Sequence, residues 1–301
     1  MPLMEPDEGR YSAIPQEMNR SGDYVTPRLK QVVYLEKPPL CYWATAAAFR
    51  IFGENEFSAR LFVALSTWGC ILLVYAMGRR FHGSGAGLTA AALFATSLYP
   101  FGLGRVTTLD MPLTFFVCLA VWLGYLHVAD KTGRCRLYGF FLSCGLAFLA
   151  KGLIGVVFPF AILSLWLVLT RRFRDLIDFF SPVGILILLV VTVPWIVLVQ
   201  IAHPDFFHFF FIQEHMLRFT TPMHEKTAPF YYYVPIVLAG FMPWLVYLPK
   251  ARHDAPDSLA ALFPREERIF FAVWVGFIFL FFSMASSKLL PYIAPVFLPL
   301  S

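Results

Sequence analysis

Residues Pro182 to Ile201 read PVGILILLVVTVPWIVLVQI, twenty positions without a charge. About 20 consecutive apolar residues is what a helix needs to cross the hydrocarbon core of a bilayer, so this stretch predicts a membrane span. Outward from it, further apolar stretches lie at about 61–78, 86–103, 112–128, 137–150, 153–170, 230–249 and 269–285. A run from Pro291 to Ser301 begins a ninth, and because it falls short of spanning length the chain is expected to be clipped at its carboxyl end. The expected fold class is an all-α polytopic membrane protein with about eight to nine helices.

Composition agrees. Apolar residues make up 58% of the 301 positions, aromatics 18% and charged residues only 14%, which excludes an ordinary soluble domain. The net charge of +5 does not point to nucleic acid, because Lys and Arg sit in small groups between apolar runs, as membrane loops require. Five cysteines have no metal-like spacing, and Cys70, Cys118 and Cys144 fall inside apolar runs as small buried hydrophobes. No basic segment leading into an apolar one with a cleavage site opens the chain.

Residues 1–60 are polar and mixed, punctuated by Pro6, Pro15, Pro27, Pro38 and Pro39, with an amphipathic patch from Tyr42 to Phe52. They are expected to form an external amphipathic loop on the membrane surface, with 61–301 as the truncated transmembrane domain. Arg79 and Arg80, then Lys131, Arg134 and Arg136, then Arg171, Arg172 and Arg174, then Lys250, Arg252, Arg265 and Arg268 collect in alternate loops. By the positive-inside rule that side is cytoplasmic.

The unusual polar residues then fall on the other side: Asp7-Glu8-Gly9-Arg10-Tyr11, Tyr34-Leu35-Glu36-Lys37-Pro38-Pro39, Asp110, Lys151, Glu214-His215 with Arg218, and Lys288. A charge at bilayer depth costs roughly 2.5–3.5 kcal/mol on insertion scales, so each needs a reason. Plainer readings compete. Asp110, before Met111 and Pro112, can cap a helix; Lys151 and Lys288 can anchor at the interface; Glu214 and His215 can be solvated loop residues; Asp7 and Glu8 can be the acidic first turn of a surface helix. Glu36-Lys37 before two prolines is rigid and poorly explained by packing.

At these strings the chain resembles the protein-O-mannosyltransferase and aminoarabinose-transferase superfamily, membrane glycosyltransferases of GT-C fold. The matching pieces are Glu5-Pro-Asp-Glu-Gly-Arg-Tyr11, Gly22-Asp-Tyr-Val-Thr-Pro-Arg28, Tyr34-Leu-Glu-Lys-Pro-Pro-Leu40, Asn55-Glu-Phe-Ser-Ala-Arg60, Thr108-Leu-Asp-Met-Pro112, Ala150-Lys-Gly152, Glu214-His215 with Arg218-Phe219, and Ser287-Lys-Leu-Leu-Pro-Tyr292. The branch it looks most like moves 4-amino-4-deoxy-L-arabinose from undecaprenyl phosphate to lipid A in a Gram-negative inner membrane.

The resemblance implies Asp7 as the principal catalytic carboxylate, with Glu8 and Arg10 beside it and Asp110 as a second acid. It implies that Glu36 and Lys37 line the site and that Tyr11, Tyr34 and Tyr292 shape a lipid-sugar pocket. Lys151 and Lys288 join the substrate-binding candidates. The family carries a helix before the acidic motif and further portions after the last helix, and Pro15 is expected to interrupt a helix running on from Asp7.

The departing phosphate needs cations, and Lys37 and Arg218 are the candidates, Arg as a bidentate fork and Lys as a point charge. Asp7 is a general base for a hydroxyl acceptor; for an already anionic phosphate acceptor it orients Arg10, Lys37 or a bound cation. No cofactor is required, although Glu36 and His215 are candidate ligands for a divalent metal ion. Expected partners are the polyprenyl-linked donor, lipid A or another glycan or protein acceptor, and the bilayer. Rival readings are a protein O-mannosyltransferase-like enzyme, a transporter or flippase, and an inactive fragment. A transporter more often keeps its charges near the midplane of discontinuous helices.

Overall fold

The computed structural model describes residues 3, 4, 6–131, 133–217, 228–247 and 264–301, the side chains of 215–217 excepted. The chain opens with α1 (Asp7–Ser21), a two-residue hairpin of β1 (Arg28–Leu29) and β2 (Val32–Val33), and α2 (Leu40–Phe52). The bundle follows as α3 (Glu56–Thr96), α4 (Leu98–Leu103), α5 (Asp110–Asp130), α6 (Cys135–Lys151), α7 (Ile154–Leu169), a turn α8 (Phe173–Leu176) and α9 (Pro182–Ala202). After a π-helix, His208–Leu217, come α10 (Tyr233–Gly240), α11 (Arg265–Met284), a 3-10 turn Leu290–Val296 and α12 (Phe297–Leu300).

Four of the described helices, α3, α5, α9 and α11, are long and apolar enough to cross a membrane, and the chain is an integral membrane protein. Helix α5 is the centre: 72% of its apolar stretch is buried, and it packs against α3, α6, α7 and the Leu290–Val296 turn. Only 17% of the apolar stretch of α9 is buried, so the stretch that decides the fold leaves most of its surface exposed.

The helices run up and down. Helix α3 is two arms joined where Gly83 takes φ 86°, a value open to glycine, and the arms close so tightly that a Cβ on Gly87 would lie 2.7 Å from the Tyr75 carbonyl oxygen. The expected stretch 86–103 is therefore corrected: the returning arm ends at Thr96, and Ser97 in extended conformation starts the separate α4. The expected 230–249 helix shrinks to α10 between 3-10 turns, with Pro243 after it. Residues 248–250 lie outside the described residues.

Basic loop residues meet at one end of the bundle. Arg80 and Arg136 both pair with Asp130, Arg172 bonds Asp175 at 2.7 Å and Glu266 at 3.2 Å, and Lys131 reaches Asp175 at 3.3 Å. The starts of α3 and α5 and the ends of α6, α9 and α11 share the other end, as alternation of the runs requires.

Helices α1 and α2 lie across that other end. Helix α1 runs through Pro15 without interruption, against expectation. Proline's fixed φ suits a helix; what it lacks is one N–H, a defect of about 3 kcal/mol. Tertiary contacts outweigh it here, because Pro15 is itself buried, Ile14 and Met18 pack against Tyr42 and its neighbours, and Asn19 donates to the Ala46 carbonyl at 2.9 Å. Helix α2 buries Cys41, Tyr42, Thr45, Ala46 and Phe49, while Ile51 and Phe52 at its end and Phe57 at the start of α3 stay exposed, an apolar edge suited to a membrane surface.

Candidate active site

The site is built where the amino-terminal segment covers the ends of α5 and α6. Glu8 on the inner side of α1 is fully buried. Its carboxylate accepts from Arg60 Nε at 2.9 Å and Nη2 at 2.7 Å, from the Thr107 amide at 2.8 Å and from the Met4 amide at 2.7 Å. Burial pushes this acid up, but the four donors, Arg60 foremost, override it and hold the group at about 2. Glu8, expected beside Asp7 as a catalytic candidate, is thus a clasp between α1, α3 and the loop before α5.

Arg60 is set by its own motif. Asn55 caps α3 by accepting from the Ser58 amide at 3.0 Å, and Ser58 Oγ donates to the Gly53 carbonyl at 2.7 Å, so Arg60 leaves the first turn pointing at Glu8.

Asp7 stays exposed at the start of α1, near Arg10 and Tyr11. Burial opposes the charge on Arg10, yet the Tyr34 hydroxyl, Tyr11 and Asp7 around it keep the guanidinium firmly protonated. Tyr34 donates to Glu36 Oε2 at 3.0 Å, and its phenol is pushed up to about 12 by burial and then by the Glu36 carboxylate. Lys37 Nζ donates to the Glu36 carbonyl at 2.9 Å and to Glu214 Oε2 at 3.2 Å. Arg10, Tyr34, Glu36, Lys37 and Glu214 thereby form one polar chain.

A second group lies beyond Tyr11. Asp110, the first residue of α5, pairs with Lys151, the last of α6; their side chains are 11% and 13% exposed. The N-cap position of α5 is Leu109, and Asp110 inside the first turn is engaged instead in the ion pair with Lys151. Lys151 also sits over the Tyr292 ring, 4.8 Å from its centroid, rather than reaching out to an interface. Tyr11 feels both Tyr34 and Asp110 and packs near Leu109, Cys41 and Ala150; burial first, then those neighbours, raises its phenol well above the usual range.

Lys288 is buried and donates to the Ala285 carbonyl at 2.8 Å, capping α11 instead of snorkelling. The start of the 3-10 turn after it is tied down by Tyr99 and Tyr233, whose hydroxyls donate to the Leu290 and Leu289 carbonyls at 2.8 and 3.1 Å. Arg218 and the side chain of His215 lie outside the described residues. The Glu36 carboxylate is placed against the Tyr34 hydroxyl, and among the described residues no group of three or more His, Cys, Asp or Glu could hold a metal.

The family profile described as dolichyl-phosphate-mannose-protein mannosyltransferase matches residues 36–198, more than half of the chain. The chain belongs to this family. Within the mannosyltransferase family it is 33% identical over its full length to the undecaprenyl phosphate-alpha-4-amino-4-deoxy-L-arabinose arabinosyl transferase of Aeromonas hydrophila, covering 55% of that protein. It is 34% identical over 99% of its length to the corresponding transferase 1 of Proteus mirabilis, covering 54% of it. The crystal structure of ArnT from Cupriavidus metallidurans bound to undecaprenyl phosphate superposes with a TM-score of 0.89 at 34% identity, over 99% of this chain and 54% of that one. The same protein in the apo state gives 0.85 at 33% identity. The chain spans about half the length of the relatives it matches, and the expected GT-C type transmembrane fold is the fold found.

Two participants were absent from the expected site. Arg60 stood in a matching string without a role, and Glu214 was paired with His215 rather than with Lys37. The signal for Arg60 was the helix cap before it, which fixes where the sixth residue of that string points.

Proposed function

We propose that this chain carries the donor-sugar site of a glycosyltransferase that takes 4-amino-4-deoxy-L-arabinose, or a related sugar, from undecaprenyl phosphate and transfers it with inversion to lipid A or another extracytoplasmic acceptor. The observation that carries this reading is the gathering, at one end of the bundle, of Asp7, Arg10, Tyr34, Glu36 and Lys37 with Asp110, Lys151 and Tyr292. Charges at helix ends suit a site reached by a lipid from the side and an acceptor from outside; a transporter would hold them at the midplane. The relatives named above for undecaprenyl-phosphate aminoarabinose support the donor.

In the reaction the acceptor oxygen attacks the anomeric carbon, the carbon–oxygen bond to phosphate breaks, and its electron pair leaves on undecaprenyl phosphate. Lys37 and Arg218 neutralise that departing charge. Asp7 removes the proton of a hydroxyl acceptor, or, with a phosphate acceptor, orients Arg10. Asp110 and Lys151 shape the sugar side of the site with Tyr11 and Tyr292, and Glu8 acts by positioning Asp7 and Arg10. The chemistry balances without a cofactor; Glu36 and His215 are offered as ligands for a divalent ion that would assist the phosphate. We place residues 1–60 on the periplasmic surface of the inner membrane and the basic end in the cytoplasm.

The test is sugar transfer by the intact purified protein supplied with the lipid-linked donor and either lipid A or a hydroxyl acceptor, before and after chelation. Transfer abolished in Asp7→Asn supports the assignment, and full transfer in that variant refutes it. Bulk movement of the lipid without a change of glycosidic bond favours a flippase.

A further inference from the structure

Lys37 and Glu214, 177 residues apart in sequence, lie 3.2 Å from each other, and each side chain is only 13% exposed. Both are built to meet. Lys37 is held by its bond to the Glu36 carbonyl and by the two prolines behind it. Glu214 rides on the π-helix His208–Leu217, a wide-turned form that is rare and concentrates at functional sites. The base of that segment is clamped: Phe206 and Phe210 are buried and stacked at 5.2 Å, both meet Trp195, and His203 bonds Thr26 at 3.2 Å. Trp195 in turn donates to the Val25 carbonyl at 3.0 Å, so the loop carrying Lys37 and the helix carrying Glu214 share one foundation.

An ammonium with so little water needs a resident anion, and a phosphate needs the same ammonium. We propose that Glu214 is the resident counter-ion of Lys37: its carboxylate occupies the phosphate position between turnovers, yields it to the lipid phosphate, and returns to help expel the product. This rests on the reading of Lys37 as the phosphate cation. The chemistry favours such a device. The donor phosphate is a diester with one charge, whereas the product is a monoester with more, held harder by Lys37 and in greater need of a competitor. A carboxylate at the same cation supplies that competition without new charge.

The experiment is equilibrium binding of undecaprenyl phosphate to the intact protein in nanodiscs, for the wild type, Glu214→Gln, Glu214→Asp, Lys37→Met and the Lys37→Met/Glu214→Gln double variant. Glu214→Gln is expected to bind about tenfold tighter, the scale of one partly buried ion pair lost as a competitor. Glu214→Asp, which keeps the charge but shortens its reach, falls between and serves alone if the Gln variant does not fold. The double variant should match Lys37→Met, and turnover by Glu214→Gln should slow as product accumulates. Unchanged or weaker binding by Glu214→Gln or Glu214→Asp overturns the counter-ion role. Unchanged binding by Lys37→Met overturns instead the reading of Lys37 on which it rests.

Discussion

Arg60 grips both carboxylate oxygens of Glu8, at 2.9 and 2.7 Å, across 52 residues of sequence, and so fastens the surface helix α1 to the first long span. Removing one partner of a buried pair leaves an uncompensated charge, at a cost of about 3–5 kcal/mol. Arg60→Met should therefore lower the melting temperature of the intact protein in detergent much more than Glu8→Gln, which removes the charge itself. Equal, small effects would mean that the clasp does not hold α1 in place.

The same clasp fixes an acid limit. Glu8 titrates near 2 in the fold against 4.5 for an ordinary glutamate, so its stabilisation is fully present above about pH 4.5 and is lost as pH falls toward 2. The difference corresponds to about 3 kcal/mol. Melting temperature followed from pH 6 downward should fall steeply in that window for the wild type and less steeply for Glu8→Gln; parallel curves would remove Glu8 from the account.

Asp110 and Lys151 make a different prediction, because we propose that they serve the sugar side of the site as well as pairing across α5 and α6. Lys151→Met alone strands a nearly buried carboxylate and should both destabilise the protein by a few kcal/mol and abolish transfer. Asp110→Asn/Lys151→Met should regain most of the melting temperature but none of the activity. Recovery of activity in the double variant would reduce the pair to packing.

Close packing between α6 and α7 rests on Gly155, where a Cβ would run into the Ala147 backbone. Backbone cannot step aside as a side chain can, so Gly155→Ala should cost about 1–3 kcal/mol. Gly276 in α11 has open space around it, and Gly276→Ala should gain about 0.5–1 kcal/mol. Thermal melting of the two variants distinguishes steric contact from a general intolerance of alanine.

The spans were legible because a bilayer demands one thing of sequence, sustained apolarity, and each apolar stretch contains a helix of the described structure. Gathering the polar residues at one end needed only that topology. Pro15 misled because its cost is local and visible, while the burial of Ile14 and Met18 that offsets it is not. Glu8 read as a companion of Asp7 because the two are adjacent; their opposite fates, one buried and one exposed, follow from which side of α1 faces Arg60. The break at Ser97 was carried by a serine at the cap position with Pro100 three residues on, a signal masked by the apolarity of the run, and the Leu98 amide confirms the new direction by donating to the Met242 carbonyl at 2.9 Å.

Asp7, at the exposed start of α1, is proposed to serve sugar transfer from undecaprenyl phosphate. That role is tested most directly by mass spectrometry of lipid A and of undecaprenyl-phosphate sugars from cells carrying the intact protein or its Asp7→Asn variant. The variant is expected to lose an aminoarabinose-type modification of lipid A while the lipid-linked donor accumulates. An unchanged lipid A modification in the variant would contradict that role.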